Sequence, residues 1–276
     1  MKRKIPVIIS GVLAVGIAVC SGFYLNDDKE QVKSVANDAR TIDTAAVPSS
    51  KKNGWGIKKN KNSPPDVPED IKGMLRKYNS FYMDNSGEKT LFLTFDEGYE
   101  NGYTGQILDT LKKCEVKAAF FVTKPYLEKE TELVKRMIDE GHIVGNHTMN
   151  HPDMTTLSDE KIGEELNGLN KIYNEMYGGE MKYMRPPEGA FSERVLSAAN
   201  NLGYKTVFWS FAYKDWDVNS FKGADFAYNQ ITPYIHDGAV ILLHAVSKDN
   251  ADVLERVINY AKGEGYTFSS LDSITQ

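Results

Sequence analysis

Three places in this chain gather residue types able to move protons or hold a cation. The first is LFLTFDEGYENG at 91–102, where an apolar run ends on Asp96 and Glu97 side by side. Two adjacent carboxylates repel one another, and burial disfavours the charged form of both. A solvated turn would relieve the conflict, since Asp and Gly are ordinary turn residues. A shared cation would relieve it too, with one acid ligating and the other left ionised as a base. The second place is His147-Thr-Met-Asn-His151. That spacing brings two imidazoles onto one face of a helical turn, within reach of one cation. Two unrelated surface histidines have the same spacing. The chain holds only five histidines, however, and Asp96 or Glu97 would complete a site of two His and one acid. The third is a set of single residues: His244 at the end of AVILLH, Arg185 in MRPPEG, and Asp215 with Trp216 in KDW. Taken singly they read as a core-edge histidine, a surface arginine, and a turn followed by a packing aromatic. Taken together they would require a base, an acid, metal ligands and an aromatic wall to converge on one rim by accident, which makes a shared site the better reading.

These residues need elements that deliver them to one rim. Short apolar runs recur at 91–95, 117–123, 142–145, 181–185, 204–210, 239–244 and 266–271, giving seven candidate strands, most of them apolar on both faces. Between several of them lie segments with apolar spacing near three and four, such as GQILDTLKKC, ETELVKRMIDEG, SDEKIGEELNGLNKIYNEMYGG and NADVLERVINYAKGEG. Ser158 followed by Asp159 and Glu160 marks a helix start, and Gly141 and Gly178 mark stops. Alternation of this kind predicts an α/β fold with a parallel sheet, either open and doubly wound or a barrel. No glycine-rich phosphate loop follows the first run, which favours the barrel. In both architectures chemistry collects beyond the C-terminal ends of the strands, where Asp96, Glu97, His147, Arg185, Asp215, Trp216 and His244 all fall.

The chain has 276 residues, 41% hydrophobic and 26% charged, an ordinary globular composition. A formal net charge of -5 with no long basic run offers no field for a phosphate backbone, which argues against a nucleic-acid partner. Lys2, Arg3 and Lys4 precede a nearly charge-free run at 5–25, roughly the length that spans a bilayer. Residues 1–25 therefore read as an export signal or a membrane anchor with its positive flank in the cytoplasm. Residues 26–70 are polar and include NSPPDVPED, the texture of a linker, with Trp55 between two glycines as its one docking candidate. The folded domain is expected over 71–276. Of the two cysteines, Cys20 lies in the apolar segment and Cys114 reads as a core or helix-end thiol, so the domain is expected to lack an internal disulfide.

TFDEG, HTMNH, RPPEG, KDW and LLH occur in the order of the five motifs of the polysaccharide deacetylases with a NodB-homology domain, carbohydrate esterase family 4, which the chain resembles over roughly residues 88–271. FDEGYENGY, SFAYKDW, LLHAVSKDN and GWGIKKNKNSPPD further resemble the delta-lactam-biosynthetic de-N-acetylases, the N-acetylmuramic acid deacetylases of spore cortex peptidoglycan. The resemblance implies a distorted (β/α)7 barrel and removal of N-acetyl groups from a peptidoglycan strand. It implies Asp96 as general base held by Arg185, and Glu97, His147 and His151 as ligands of a divalent metal, zinc above others. It implies His244 as general acid oriented by Asp215, Trp216 and Leu242 as the wall around the acetyl methyl, and the backbone N–H of Glu188 toward the oxyanion. An N-acetylmuramoyl-L-alanine amidase is implied as functional partner, and an extracytoplasmic place of action, the intermembrane space of the developing spore. Four positions depart from the family pattern: Glu97 for Asp, Glu188 for an aromatic, Ala212 for Asp and Ile241 at the start of the last motif. Two alternatives stay open at this level. One is N-acetylglucosamine deacetylation in peptidoglycan or chitin; the other is a metal-free glycan-binding protein that has lost its activity.

Overall fold

The computed structural model describes residues 47–275, so the apolar segment at 1–25 and the linker residues before 47 lie outside it. A two-residue strand β1 (Asn53–Gly54) and helix α1 (Glu69–Lys77) precede the first apolar run, which forms β2 (Thr90–Glu97). Then follow α2 (Thr104–Lys113), β3 (Ala118–Val122), α3 (Lys124–Lys129), α4 (Thr131–Asp139) and β4 (Ile143–Asn146). The second half contains α5 (Asp159–Tyr177), β5 (Tyr183–Met184), β6 (Ala190–Phe191), α6 (Glu193–Asn201), β7 (Lys205–Thr206), α7 (Ala224–Ile231), β8 (Val240–His244), α8 (Lys248–Gly263) and β9 (Thr267–Phe268).

All seven expected strands form, and they join one parallel sheet in the order β7-β5-β4-β3-β2-β8, with β9 also paired to the start of β2. Central β2 is buried from Leu91 to Glu97, as a strand covered on both faces must be. Leu91, Leu93 and Phe95 face the helices, packing with Ile107, Leu108 and Val257. Phe92 belongs to the interior layer with Phe121, Val207 and Val240. The caps follow the sequence signals: the Ser158 hydroxyl accepts from the Lys161 N–H at 3.3 Å, and Gly178 closes α5 at φ 71°, a conformation that costs glycine little.

Closure differs from the expected barrel. The sheet is a curled half-barrel whose edge strands β7 and β8 do not pair with each other; single bridges Phe81–Val207, Met83–Ala239 and Phe211–Ile241 span the gap. The two-residue length of β5 has a covalent cause, because Pro186 and Pro187 follow Arg185 and have no N–H to extend a ladder.

The linker reading of 26–70 also changes where it can be followed. The described residues from 47 onward belong to the same compact unit as the sheet. β1 pairs antiparallel with β6, and Trp55 is buried, its ring stacked on Phe208 at 4.5 Å and its indole N–H donated to the Trp209 carbonyl at 2.8 Å. Gly189 allows this approach: at φ +65° a Cβ there would lie 2.9 Å from Trp55 Cβ and 2.7 Å from the Trp209 ring. A tryptophan worth about 3–5 kcal/mol when buried thus holds the segment that precedes the expected domain boundary. Cys114 is buried and has no disulfide partner among the described residues. Among the described residues no helix is long and apolar enough to cross a membrane.

Candidate active site

The C-terminal ends of β2, β3, β4 and β8 open into one groove of about 1090 Å³. Parallel pairing sets Asp96 in register with His244, so the last groove-facing residues of two adjacent strands stand side by side, about 4.8 Å apart at the backbone. Asp96, His147, His151, Trp216, Leu242, His244 and Glu188 all line the groove, as the sequence anticipates.

Each charged member has a fixed partner. Arg185, entirely buried, donates Nη1–H to Asp96 Oδ1 at 2.7 Å, Nη2–H to Thr94 Oγ1 at 2.9 Å and Nε–H to the Val207 carbonyl at 3.0 Å. Its guanidinium lies over the Phe121 ring at 4.2 Å. Burial alone would raise the Asp96 carboxyl, but the charge of Arg185, with His147 and His244, outweighs it and holds the group below the usual carboxylate range. Asp96 is therefore an anion with little freedom to turn.

His244 is oriented from behind. Its Nδ1 lies 2.7 Å from Asp215 Oδ1, and its backbone N–H donates to Asp215 Oδ2 at 2.8 Å. Asn250 Nδ2 donates to the same Oδ2 at 2.6 Å, and the Tyr213 hydroxyl bonds Asn250 Oδ1 in turn. Burial lowers the His244 pKa, and the Asp215 carboxylate more than restores it, so the imidazolium persists above the usual histidine value. With Nδ1 engaged, Nε2 is the nitrogen left to serve the groove. Trp216 stands edge-on to His244 at 5.7 Å between centroids and is half exposed, and the buried Leu242 lines the same groove.

The histidine pair is brought together, though not on a helical turn. His147 and His151 sit in the loop after β4, with Thr148 at φ 69° and His151 at φ 55°, and their rings meet at 4.9 Å. Side-chain bonds make this loop: Asn146 Oδ1 accepts from the Thr148 N–H at 2.9 Å and Thr148 Oγ1 from the His151 N–H at 3.0 Å. His147 Nδ1 lies 2.8 Å from the Arg185 carbonyl, which only accepts, so Nδ1 carries the hydrogen and Nε2 a lone pair. Burial pulls the His147 pKa down to about 4, leaving the ring neutral. Its Nε2 then faces Asp96 Oδ2 at 3.6 Å, acceptor toward acceptor, an arrangement suited to a cation or proton donor between them.

Glu97 does not join this group. Strand alternation puts it on the helix-facing side with Leu93 and Phe95, fully buried and outside the groove lining. Both carboxylate oxygens lack a hydrogen-bond partner among the described residues. Burial, with Glu100 and Asp96 nearby, pushes its carboxyl well above the usual range. Among the described residues no three of His, Cys, Asp or Glu converge to hold a metal. The two imidazoles have the chemistry of ligands, but the set Glu97, His147 and His151 does not fit a divalent ion as arranged.

The other departures are mild. Ile241 pairs with Leu93 and offers its carbonyl to the Thr94 hydroxyl at 2.8 Å; Ala212 is part of the groove wall. Glu188 has φ 56° and ψ 7°, a conformation rare outside glycine and concentrated at functional sites. Thr94, Asn250 and Lys59 lie within the quoted stretches TFDEG, LLHAVSKDN and GWGIKKNKNSPPD but were given no role there, and Trp209 lies outside them; tertiary proximity brings all four to the site.

The sequence pattern of the polysaccharide deacetylases matches residues 83–207. The peptidoglycan-N-acetylmuramic acid deacetylase PdaA of Bacillus subtilis is 47% identical over 231 residues, 83% of this chain and 88% of that protein. Its solved structure, described as a family 4 carbohydrate esterase, superposes with a TM-score of 0.80 at 45% identity, covering 82% of this chain and 97% of that one. The peptidoglycan-N-acetylglucosamine deacetylase PgdA of Listeria monocytogenes is 33% identical over 67% of this chain and 39% of its own length.

Proposed function

Because this chain belongs to the polysaccharide deacetylase family, we propose that its groove hydrolyses the acetamido group of N-acetylmuramic acid residues in peptidoglycan strands, releasing acetate and a free amine. The observation that carries this reading is the in-register pair Asp96 and His244, a carboxylate pushed toward its ionised form by Arg185 beside an imidazole pushed toward its protonated form by Asp215. Two groups poised in opposite protonation states are what amide hydrolysis needs. Asp96 takes a proton from water, and the oxygen attacks the acetyl carbon. His244 delivers its proton to the nitrogen as the C–N bond breaks, since the amine must leave neutral. Trp216 and Leu242 enclose the methyl, and the strained Glu188 turn offers its backbone N–H to the oxyanion.

A divalent metal, zinc by the family resemblance, would find donors in His147 and His151 and would supply Lewis-acid polarisation. Glu97 as arranged cannot be its third ligand, so the proton transfers rest on Asp96 and His244. The muramic over the glucosamine substrate is supported by 47% identity to the muramic enzyme against 33% to the glucosamine one, and by the longer coverage. On the same resemblance, the product amine feeds muramic delta-lactam formation in spore cortex, an upstream amidase removes the stem peptide, and the apolar segment at 1–25 places the domain outside the cytoplasm.

The deciding measurement is acetate release from peptide-free glycan strands, from peptide-bearing strands and from N-acetylglucosamine oligomers at equal concentration, with and without chelator. Mass spectrometry should locate new amines on muramic residues. Equal loss of acetyl from N-acetylglucosamine residues replaces this reading with the broader one. Glycan binding without acetate release replaces it with a binding protein.

A further inference from the structure

The groove contains a cation that catalysis does not use. Lys59, from the loop between β1 and α1, is the one lysine or arginine among the described residues lining it. The loop is tied to the domain by the Asn62 N–H, which donates to the Pro233 carbonyl at 3.0 Å, and by the buried Trp55 four residues earlier. Lys59 Nζ lies 4.5 Å from the Tyr234 ring centroid and 5.0 Å from that of Phe211. Two rings beneath one ammonium fix the height and direction of its charge. No carboxylate among the described residues lies within ion-pair distance of it, unlike Lys214, whose ammonium is 3.5 Å from Asp217 and which lines a separate, smaller pocket. Burial lowers the Lys59 pKa, the sign of a charge partly stripped of water and not compensated by an anion. Of the two carboxylates lining the groove, Asp96 is bonded to Arg185 and Glu188 lies outside ion-pair distance of Lys59.

We propose that Lys59 binds the lactyl carboxylate of a peptide-free muramic acid residue and so sets the preference for that sugar. The inference rests on the reading that the groove deacetylates muramic acid, and it makes the charge on the substrate the selected feature. A stem peptide converts that carboxylate to a neutral amide, and N-acetylglucosamine has no lactyl group, so both would leave Lys59 without its counter-ion. A partly desolvated cation discriminates against ligands that fail to pair it, because the unpaired charge costs more than the pair gains.

The test compares peptide-free strands with the same strands after conversion of the lactyl carboxyl to the methylamide. Wild-type kcat/KM should favour the acid form by about ten- to a hundredfold, the range for a hydrogen bond to a charged group. In Lys59→Met, which keeps an apolar stem over Phe211 and Tyr234, that ratio should fall toward one through KM rather than kcat. Lys59→Arg should keep most of it. A preserved ratio in Lys59→Met, or an equal loss on acid and amide forms, overturns the role of Lys59 and leaves the muramic reading standing. Wild-type protein that releases acetate from N-acetylglucosamine oligomers but not from either muramic strand overturns both.

Discussion

Asp96 and Glu97 are consecutive acids on one strand, both buried, and they meet opposite fates. Asp96 faces the groove, where Arg185 donates to one oxygen at 2.7 Å and His147 stands 3.6 Å from the other. Glu97 faces the helices, where neither oxygen has a partner among the described residues and Glu100 adds a like charge. One carboxyl is pushed down in pKa and the other up, although their burial is similar. Burial alone therefore does not decide ionisation; the arrangement of counter-charges does. The first residue is equipped to act as a base, and the site of the second favours its neutral acid form.

The contrast is broken most severely by Asp96→Asn. Turnover should fall by about 10² to 10⁴-fold, the usual worth of general-base assistance. Arg185 would then be a buried cation without its anion, and such a loss destabilises by about 3–5 kcal/mol, so a lower Tm should accompany the lost activity. Near-normal turnover would remove Asp96 from the chemistry. Zinc affinity, measured by calorimetry on the intact chain, separates the two acids next. His147→Ala and His151→Ala should weaken binding by more than about tenfold, since even changes behind a ligand cost that much, while Glu97→Gln should not. A comparable loss in Glu97→Gln would show that the glutamate swings into the groove when metal binds.

Asp215→Asn sharpens the groove side through pH. Activity requires ionised Asp96 and protonated His244, whose pKa values are displaced downward and upward respectively. The active window thus opens below the usual carboxylate range and closes above the usual histidine one. Without the Asp215 charge, burial and Arg185 are opposed only by the weaker pull of Asp96, and the alkaline limb should move to lower pH; an unmoved limb would assign it to another group. Glu97→Gln is the gentlest change. A carboxyl raised on folding keeps a proton that the unfolded chain releases, so its contribution is fully present at low pH and is lost as pH rises from the unfolded value toward the folded one. The amide removes that loss, and Tm at neutral pH should rise by about 2–4 °C, the shift that about 1 kcal/mol makes in a domain of this size. A fall in Tm would mean that Glu97 has a charged partner.

The amino-acid sequence by itself determined the strands, because runs such as LFLTF and AVILL admit no solvent face, and it determined that Asp96, Arg185, Asp215 and His244 belong together, because their order along the chain is that of a known family. The histidine pair was legible as a pair, but its helical turn was not to be: Asn146 and Thr148 bond the backbone locally and bend it into a loop. Three things were decided only by the tertiary structure. Glu97 went to the helix side because β2 keeps its alternation to its last residue, whereas a strand ending one residue earlier would have left it free to turn. Lys59 reached the groove, and the docking expected of Trp55 found its surface, because β6 and Gly189, about 130 positions later, accept the segment before α1. Asn250 became the brace of Asp215 across 35 residues. Local pattern reports which face of an element is apolar, but it holds no information on which distant surface will meet that face, and in this protein those meetings determine which charges are paired.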